Sequence, residues 1–177
     1  MLLAREDIDP NQTEAFHGQK PLSLAAKSGD KGVVKMLLQQ EDVDPNEADT
    51  FYGQTPLSWA AKSGHEGVVQ ILLQREDVNP NMADTWYGQT PHSLAVDSGR
   101  EGVVKILLEQ NDVHTATPDY RNQTPISLAL SKGPPGIVKI LRERDNFNSD
   151  AVDGSGHSSL PPPQTSTRYR RNSSNGL

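Results

Sequence analysis

Five histidines, His17, His65, His92, His114 and His157, are the residues best suited to reaction chemistry near neutral pH. They are scattered along the chain rather than clustered, and no zinc-protease helix, phosphate loop or nucleophile elbow accompanies them. His65 is expected to be structural rather than a base. His92 stands where Leu22 and Leu57 stand in other units and is expected to be a partly exposed packing residue. The chain has no cysteine, which excludes thiolate zinc sites, cysteine nucleophiles and disulfide frameworks. Carboxylates recur as Glu6-Asp7, Glu41-Asp42 and Glu76-Asp77, with Asp112 alone in the next position. Calcium needs several oxygen ligands converging in one loop. These pairs instead follow the ends of successive helices and read as a solvated acidic ridge. No catalytic residue, metal or cofactor is expected.

The aromatic residues are patterned more tightly. Six of the nine stand directly before a recurring glycine or its substitute: Phe16, Phe51, Tyr52, Trp86, Tyr87 and Tyr120. Counting back from Gly18, Gly53, Gly88 and Asn122 gives two columns. One is Phe16, Phe51, Trp86 and Tyr120, and the other is His17, Tyr52, Tyr87 and Arg121. Tyr, Trp and Arg dominate binding hot spots. At a helix-packing spacing of about 8–10 Å, three intervals give a row of roughly 25–30 Å, enough for one side of an ordinary protein interface. Both columns are therefore candidate protein-binding residues, with Trp86 central; the alternative is that one column locks neighbouring loops together. A candidate phosphorylation site, Ser173, follows Arg170-Arg171-Asn172, so that a phosphate would lie beside two guanidinium groups.

What positions these side chains is internal repetition. The segments GQKPLSLAAKSGDKGVVKMLLQQEDVDPN, GQTPLSWAAKSGHEGVVQILLQREDVNPN, GQTPHSLAVDSGREGVVKILLEQNDVHTA and NQTPISLALSKGPPGIVKILRERDN align without an internal gap. Each reads as two short helices. Pro21, Pro56, Pro91 and Pro125 suit a first helical turn, where no N–H is needed. Gly29, Gly64, Gly99 and Gly133 are expected to close the first helix as left-handed caps. The second helix carries an apolar stripe, as in Val68, Val69, Ile71, Leu72 and Leu73, too wide to stay uncovered without a neighbouring unit. Helices are predicted near 22–28, 32–39, 57–63, 67–74, 92–98, 102–109, 126–132 and 136–143, with all extra residues confined to the connecting loops. Asp44-Pro45-Asn46 and Asn79-Pro80-Asn81 supply the turn chemistry that opens those loops.

The segments TPLSWA, TPHSLA and TPISLA resemble the T-P-L-H-x-A signature of ankyrin repeats. Lys20 replaces the threonine in the first unit, and Ser23, Ser58, Ser93 and Ser127 replace the motif histidine. The long loop EDVDPNEADTFYGQTP is similar to those of ankyrin arrays of filamentous fungi. The resemblance implies an all-α solenoid of stacked helix-turn-helix units with projecting hairpin-like loops. It also implies a non-catalytic protein–protein interaction module, a scaffold or recognition domain that binds on the face made by loops and first helices. The alternative is the targeting portion of a larger enzyme or NTPase receptor whose catalytic part lies outside this chain.

Residues 1–17 align with the end of a preceding unit and its loop, as expected of a fragment or the C-terminal part of a longer array. Residues 18–144 form four repeats, about 18–52, 53–87, 88–121 and 122–144. Arg142 takes the place of Leu38, Leu73 and Leu108, marking the last unit as a cap. Leu, Ile, Val and Phe number 38, of which 34 lie in residues 1–144. Residues 145–177 hold the other four, together with seven serines and Pro161-Pro162-Pro163. That segment is expected to be a disordered Ser/Pro-rich tail, because nothing in it offsets the entropy of ordering. A net charge of −6 argues against a nucleic-acid surface. No apolar run reaches the ~20 residues needed to cross a bilayer, and the opening MLLAREDIDP has no signal-peptide core. The expected setting is cytoplasmic or nuclear, and the expected partner is a protein. No nucleic acid, membrane or small-molecule substrate is expected, and the chain is expected to act as a monomer.

Overall fold

The computed structural model describes Asn11 and residues 18–153, with side chains through Arg144. Eight helices follow in order: α1 (Pro21–Ser28), α2 (Lys31–Leu37), α3 (Pro56–Ser63), α4 (Glu66–Leu73), α5 (Pro91–Asp97), α6 (Glu101–Leu108), α7 (Pro125–Lys132) and α8 (Pro135–Asp153). Each begins within a residue of its predicted start, with the four motif prolines at the first position of α1, α3, α5 and α7. The inserted residues lie in the loops, outside every helix. Among the described residues there is no strand.

The helices form two layers. The first helices, α1, α3, α5 and α7, pack in sequence against one another, and so do α2, α4, α6 and α8. Small side chains permit the close approach in the first layer: Ala26, Ala60, Ala61, Ala95 and Ala129 are buried there. Between the layers lie Leu22 and Leu57 with Val34, Leu37, Val69, Leu72, Val104, Leu107 and Ile137.

The helix starts explain the signature. Thr55, Thr90 and Thr124 are N-caps whose Oγ1 accepts from the backbone N–H of Ser58, Ser93 and Ser127. The serine hydroxyl lies 3.1 Å from Thr55 Oγ1 in the second unit and 3.2 Å from Thr90 Oγ1 in the third. The serine that replaces the motif histidine thus bridges back to its own cap. In the first unit Lys20 offers no such oxygen. Ser23 Oγ there is fully buried with no hydrogen-bond partner, while Lys20 Nζ pairs with Glu47 at 3.1 Å.

Two expectations about helix ends change. Gly29, Gly64 and Gly99 have the left-handed φ of 79°, 87° and 71°, but Gly133 is extended at φ −75°, ψ 153°. The cause is Pro134, which drives the preceding residue into extended geometry and has no N–H for the closing bond. Asp30, His65 and Arg100 do supply that bond, donating to Ala25, Ala60 and Ala95. The second change is α8, which runs to Asp153 rather than stopping near 143. No glycine or proline interrupts the chain between Gly136 and Gly154, so helix propagation meets no breaker there. Residues 154–177, including Ser173 and His157, lie outside the described residues, as do Phe16 and His17.

Candidate functional site

The loops before α3, α5 and α7 each close as a hairpin around a buried aspartate. Asp49 and Gln54 are joined by Asp49 N donating to Gln54 O at 3.0 Å, and Asp84–Gln89 and Asp119–Gln123 repeat the pattern at 2.9 and 3.0 Å. The carboxylates fill the turn. Asp49 Oδ1 accepts from the amides of Phe51 and Tyr52, and Oδ2 from the Gln54 amide and Trp59 Nε1. Asp84 Oδ1 accepts from the amides of Tyr87, Gly88 and Gln89, and its Oδ2 from Gln54 Nε2 of the preceding unit. Asp119 Oδ1 accepts from Arg121 and Gln123. The three aspartates are only 3%, 1% and 7% exposed. A buried carboxylate persists where several donors converge on it. Sequence reasoning misses these residues; their signal is an aspartate four or five residues before each Gln-Thr-Pro.

Adjacent loops are stitched together by Thr85 N donating to Tyr52 O at 2.9 Å and Tyr120 N donating to Tyr87 O at 2.8 Å. These equivalent bonds correct the register of one column. The fourth hairpin is one residue shorter, with three residues between Asp119 and Gln123 where the others have four. Tyr120 therefore occupies the place of Thr50 and Thr85, not that of Phe51 and Trp86. The glycine contacts agree. A side chain on Gly18 or Gly53 would meet Thr50 or Thr85, whereas on Gly88 it would meet the Tyr120 ring at 2.6 Å. Asn122 takes the glycine position at φ 59°, a conformation asparagine tolerates better than most residues.

On this frame the rings of Phe51, Trp86, Tyr87 and Tyr120 are 48%, 48%, 41% and 72% exposed, and Tyr52 is half-buried. Phe51 and Tyr52 meet edge to face at 4.7 Å, and both lie 5.4 Å from Trp86. Trp86 and Tyr87 are 6.3 Å apart, and the Arg121 guanidinium sits 4.9 Å over Tyr87. The structure thus brings Phe51, Tyr52, Trp86, Tyr87 and Arg121 into one continuous row.

Below the row, Tyr52 touches Trp59 at 5.9 Å. Trp59 occupies the position of Leu24, Leu94 and Leu128 and is buried. Lys27 Nζ lies 4.4 Å over its ring, and Lys62 Nζ lies 5.4 Å from Trp59 and 5.7 Å from Tyr52. Beyond Tyr87, a cavity of about 160 Å³ is bordered by Arg121, Asp97 and Lys132, with Lys132 Nζ 3.2 Å from Asp97 Oδ1.

The remaining candidate groups are structural. His65 Nε2 lies 3.0 Å from Lys27 O, and Arg100 Nε donates to Lys62 O at 3.0 Å. Each thereby satisfies a helix-end carbonyl of the preceding unit. His92 is not partly exposed: it is fully buried between the layers, and both ring nitrogens lack hydrogen-bond partners. Burial, with a smaller contribution from the Arg144 charge, pushes its pKa down to about 4. His114 joins the chain through its backbone amide, which donates to Asn81 Oδ1 at 2.7 Å.

Glu41, Asp42, Glu76, Asp77 and Asp112 are exposed, as expected of the acidic ridge. Arg75 grips Asp77 through both guanidinium arms at 2.8 and 2.6 Å and lowers its carboxyl pKa. Among the described residues no cluster of His, Asp and Glu could hold a metal ion. The asparagines of the ridge turns do more than turn the chain. Asn46 Nδ2 donates to Asp77 O and its Oδ1 accepts from Asn79 N, and Asn81 repeats this with Asp112 and His114. Among the described residues no helix is long and apolar enough to cross a membrane.

Among curated proteins, none matches this sequence. The family description "Ankyrin repeats (3 copies)" matches over residues 1–84 and again over 76–153. That match covers most of the chain, and the described residues fold as paired helices in stacked units, so the chain belongs to the ankyrin-repeat family.

Proposed function

We propose that the chain is a non-catalytic recognition module that captures a protein partner on the ridge of Tyr52, Tyr87 and Arg121, with Trp86 at its centre and Phe51 beside it. The observation that carries this reading is the division of labour in each loop. Buried aspartates fix the backbone, while Phe51, Trp86 and Tyr87 keep about half of their surface exposed on that rigid support. Aromatic rings held in place before binding lose little entropy on association. Ankyrin repeats are in general protein-interaction modules, which agrees with a ridge of this kind. The fourth-unit Tyr120 extends the apolar surface from a different loop position, and Phe16 and His17 are assigned to the ridge by alignment alone.

The finer features of the reading are that the chain works inside the cell as a monomer, that its long loop reflects a fungal type of array, and that Ser173 is a modification site. Two of them rest on sequence: the opening residues have no signal-peptide core, and Ser173 follows a pair of arginines. The test of the central reading is affinity capture by the full chain and by its Trp86→Ala/Tyr87→Ala variant, with thermal melting of both. Loss of the captured protein with an unchanged melting temperature supports the ridge. Capture that survives the double substitution removes it.

A further inference from the structure

We propose that the ridge and the lysines beneath it receive an acidic, extended peptide segment of a partner protein, its carboxylates meeting Lys27, Lys62 and Arg121 and its apolar side chains lying on Trp86 and Tyr87. This deepens the ridge reading and rests on it. The first support is the sign of the charge. The whole chain is at −6, yet the face that runs from Trp59 to Arg121 exposes cations. Lys27 lies over Trp59, Lys62 over Trp59 and Tyr52, and Arg121 over Tyr87. The aspartates of the same loops are turned inward: Asp49, Asp84 and Asp119 are buried and accept from backbone and side-chain donors, so the cations are the charged groups that these loops and Trp59 hold toward solvent. Asp97 is engaged with Lys132.

The second support is that Lys27 and Lys62 make no ion pair among the described residues, whereas Lys20, Lys132 and Lys139 each do. A lysine laid along an aromatic face has its stem ordered before any anion arrives, so less freedom is lost on pairing. The third is arrangement. Cations and rings are interspersed along one path, Lys27, Tyr52 with Lys62, Trp86, Tyr87 and Arg121, which matches an extended segment whose every second side chain, on the face toward the ridge, is in turn acidic and apolar. The chain's own C-terminal segment is the wrong occupant. Residues 154–177 contain Arg168, Arg170 and Arg171 and no acidic residue, so this face repels them. The occupant is a separate, acidic chain.

The probe is a fluorescein-labelled peptide of repeating Glu-Glu-Leu-Leu, which shows both residue types on each face of an extended chain, compared with a peptide of the same length repeating Gln-Gln-Leu-Leu; these are the Glu–Leu and Gln–Leu peptides. Both are titrated into the full chain. The Glu–Leu peptide is expected to bind one to one, at least about tenfold more tightly than the Gln–Leu peptide, and to weaken as salt is raised. Lys27→Glu/Lys62→Glu is expected to abolish the difference between the two peptides. Lys27→Gln/Lys62→Gln repeats the test should charge reversal lower the melting temperature. Equal binding of the two peptides, no binding of the Glu–Leu peptide, or binding unchanged in both lysine variants overturns the acidic assignment. Trp86→Ala/Tyr87→Ala separates the two readings. If the peptides bind alike but are lost in that variant, the ridge stands and the acidic partner falls. If the double alanine binds as well as the unaltered chain, both fall.

Discussion

The base and the tip of each loop obey different physics, although they are only a few residues apart. At the base, Asp84 is buried and its two oxygens take four donors, one of them from the preceding unit. At the tip, Trp86 and Tyr87 touch other rings but keep about half their surface in water. Removing the acceptor strands buried N–H groups. Removing an exposed ring strands nothing. The stability of this loop array therefore resides in a carboxylate, and its capacity for recognition in the aromatic groups that the carboxylate holds out.

That comparison is sharpest at Asp84. Asp84→Ala should cost roughly 4 kcal/mol, because several buried donors lose a charged acceptor together. Urea unfolding followed by far-UV circular dichroism measures it, and a loss no larger than that of Trp86→Ala would erase the distinction between base and tip. The next effect is a pH dependence from the third unit. His92 is neutral when folded, with its pKa lowered from 6.5 to about 4, so protonation favours the unfolded chain. Its contribution is fully present above pH 6.5 and is lost as pH falls from there toward 4, on the order of 3 kcal/mol in all. Unfolding free energies at neutral and acid pH, compared with those of His92→Leu, isolate this contribution from the carboxylates. An identical acid loss in both proteins would contradict the burial of a neutral imidazole.

The smallest of these effects concerns the first unit against the interior ones. Thr55 and Thr90 cap their helices and pair with Ser58 and Ser93, while Lys20 leaves Ser23 Oγ buried and unpaired. Gln19 Nε2 is unpaired too, whereas Gln54 Nε2 in the next unit reaches Asp84. Lys20→Thr should stabilise the chain by about 1 kcal/mol, the usual worth of an N-cap. Amide exchange in residues 21–37 should slow accordingly, from rates faster than those of the equivalent amides of α3 and α4. Stability in such stacks is a sum of unit and interface contributions, so the deficit stays local. A destabilised Lys20→Thr chain would show that the Lys20–Glu47 pair matters more than the cap.

Much of this was legible beforehand. Proline at the first helical position, glycine at the end and an apolar stripe between them are local rules, and they placed all eight helix starts within a residue. What escaped involved longer-range or compensating physics. Alignment of the units ends α8 near 143, whereas the helix continues to Asp153 because no glycine or proline interrupts it before Gly154. Analogy with Gly29 and Gly64 gives Gly133 a left-handed cap, but Pro134 holds it extended. Tyr120 was aligned by counting back from Asn122, and only the bond from its amide to Tyr87 O shows which loop position it holds. Lys27 and Lys62 carry no motif of their own, and only the structure shows the Trp59 ring under both.

The most direct test of the central claim is hydrogen exchange at two amides, Thr85 and Tyr120, which stitch neighbouring loops by donating to Tyr52 O and Tyr87 O. Measured by NMR in the Trp86→Ala/Tyr87→Ala chain, their protection should stay within a few-fold of the unaltered protein, because the buried aspartates and not the rings hold the loops. Protection that collapses to the level found in Asp84→Ala would contradict the account and make the aromatic row a packing element.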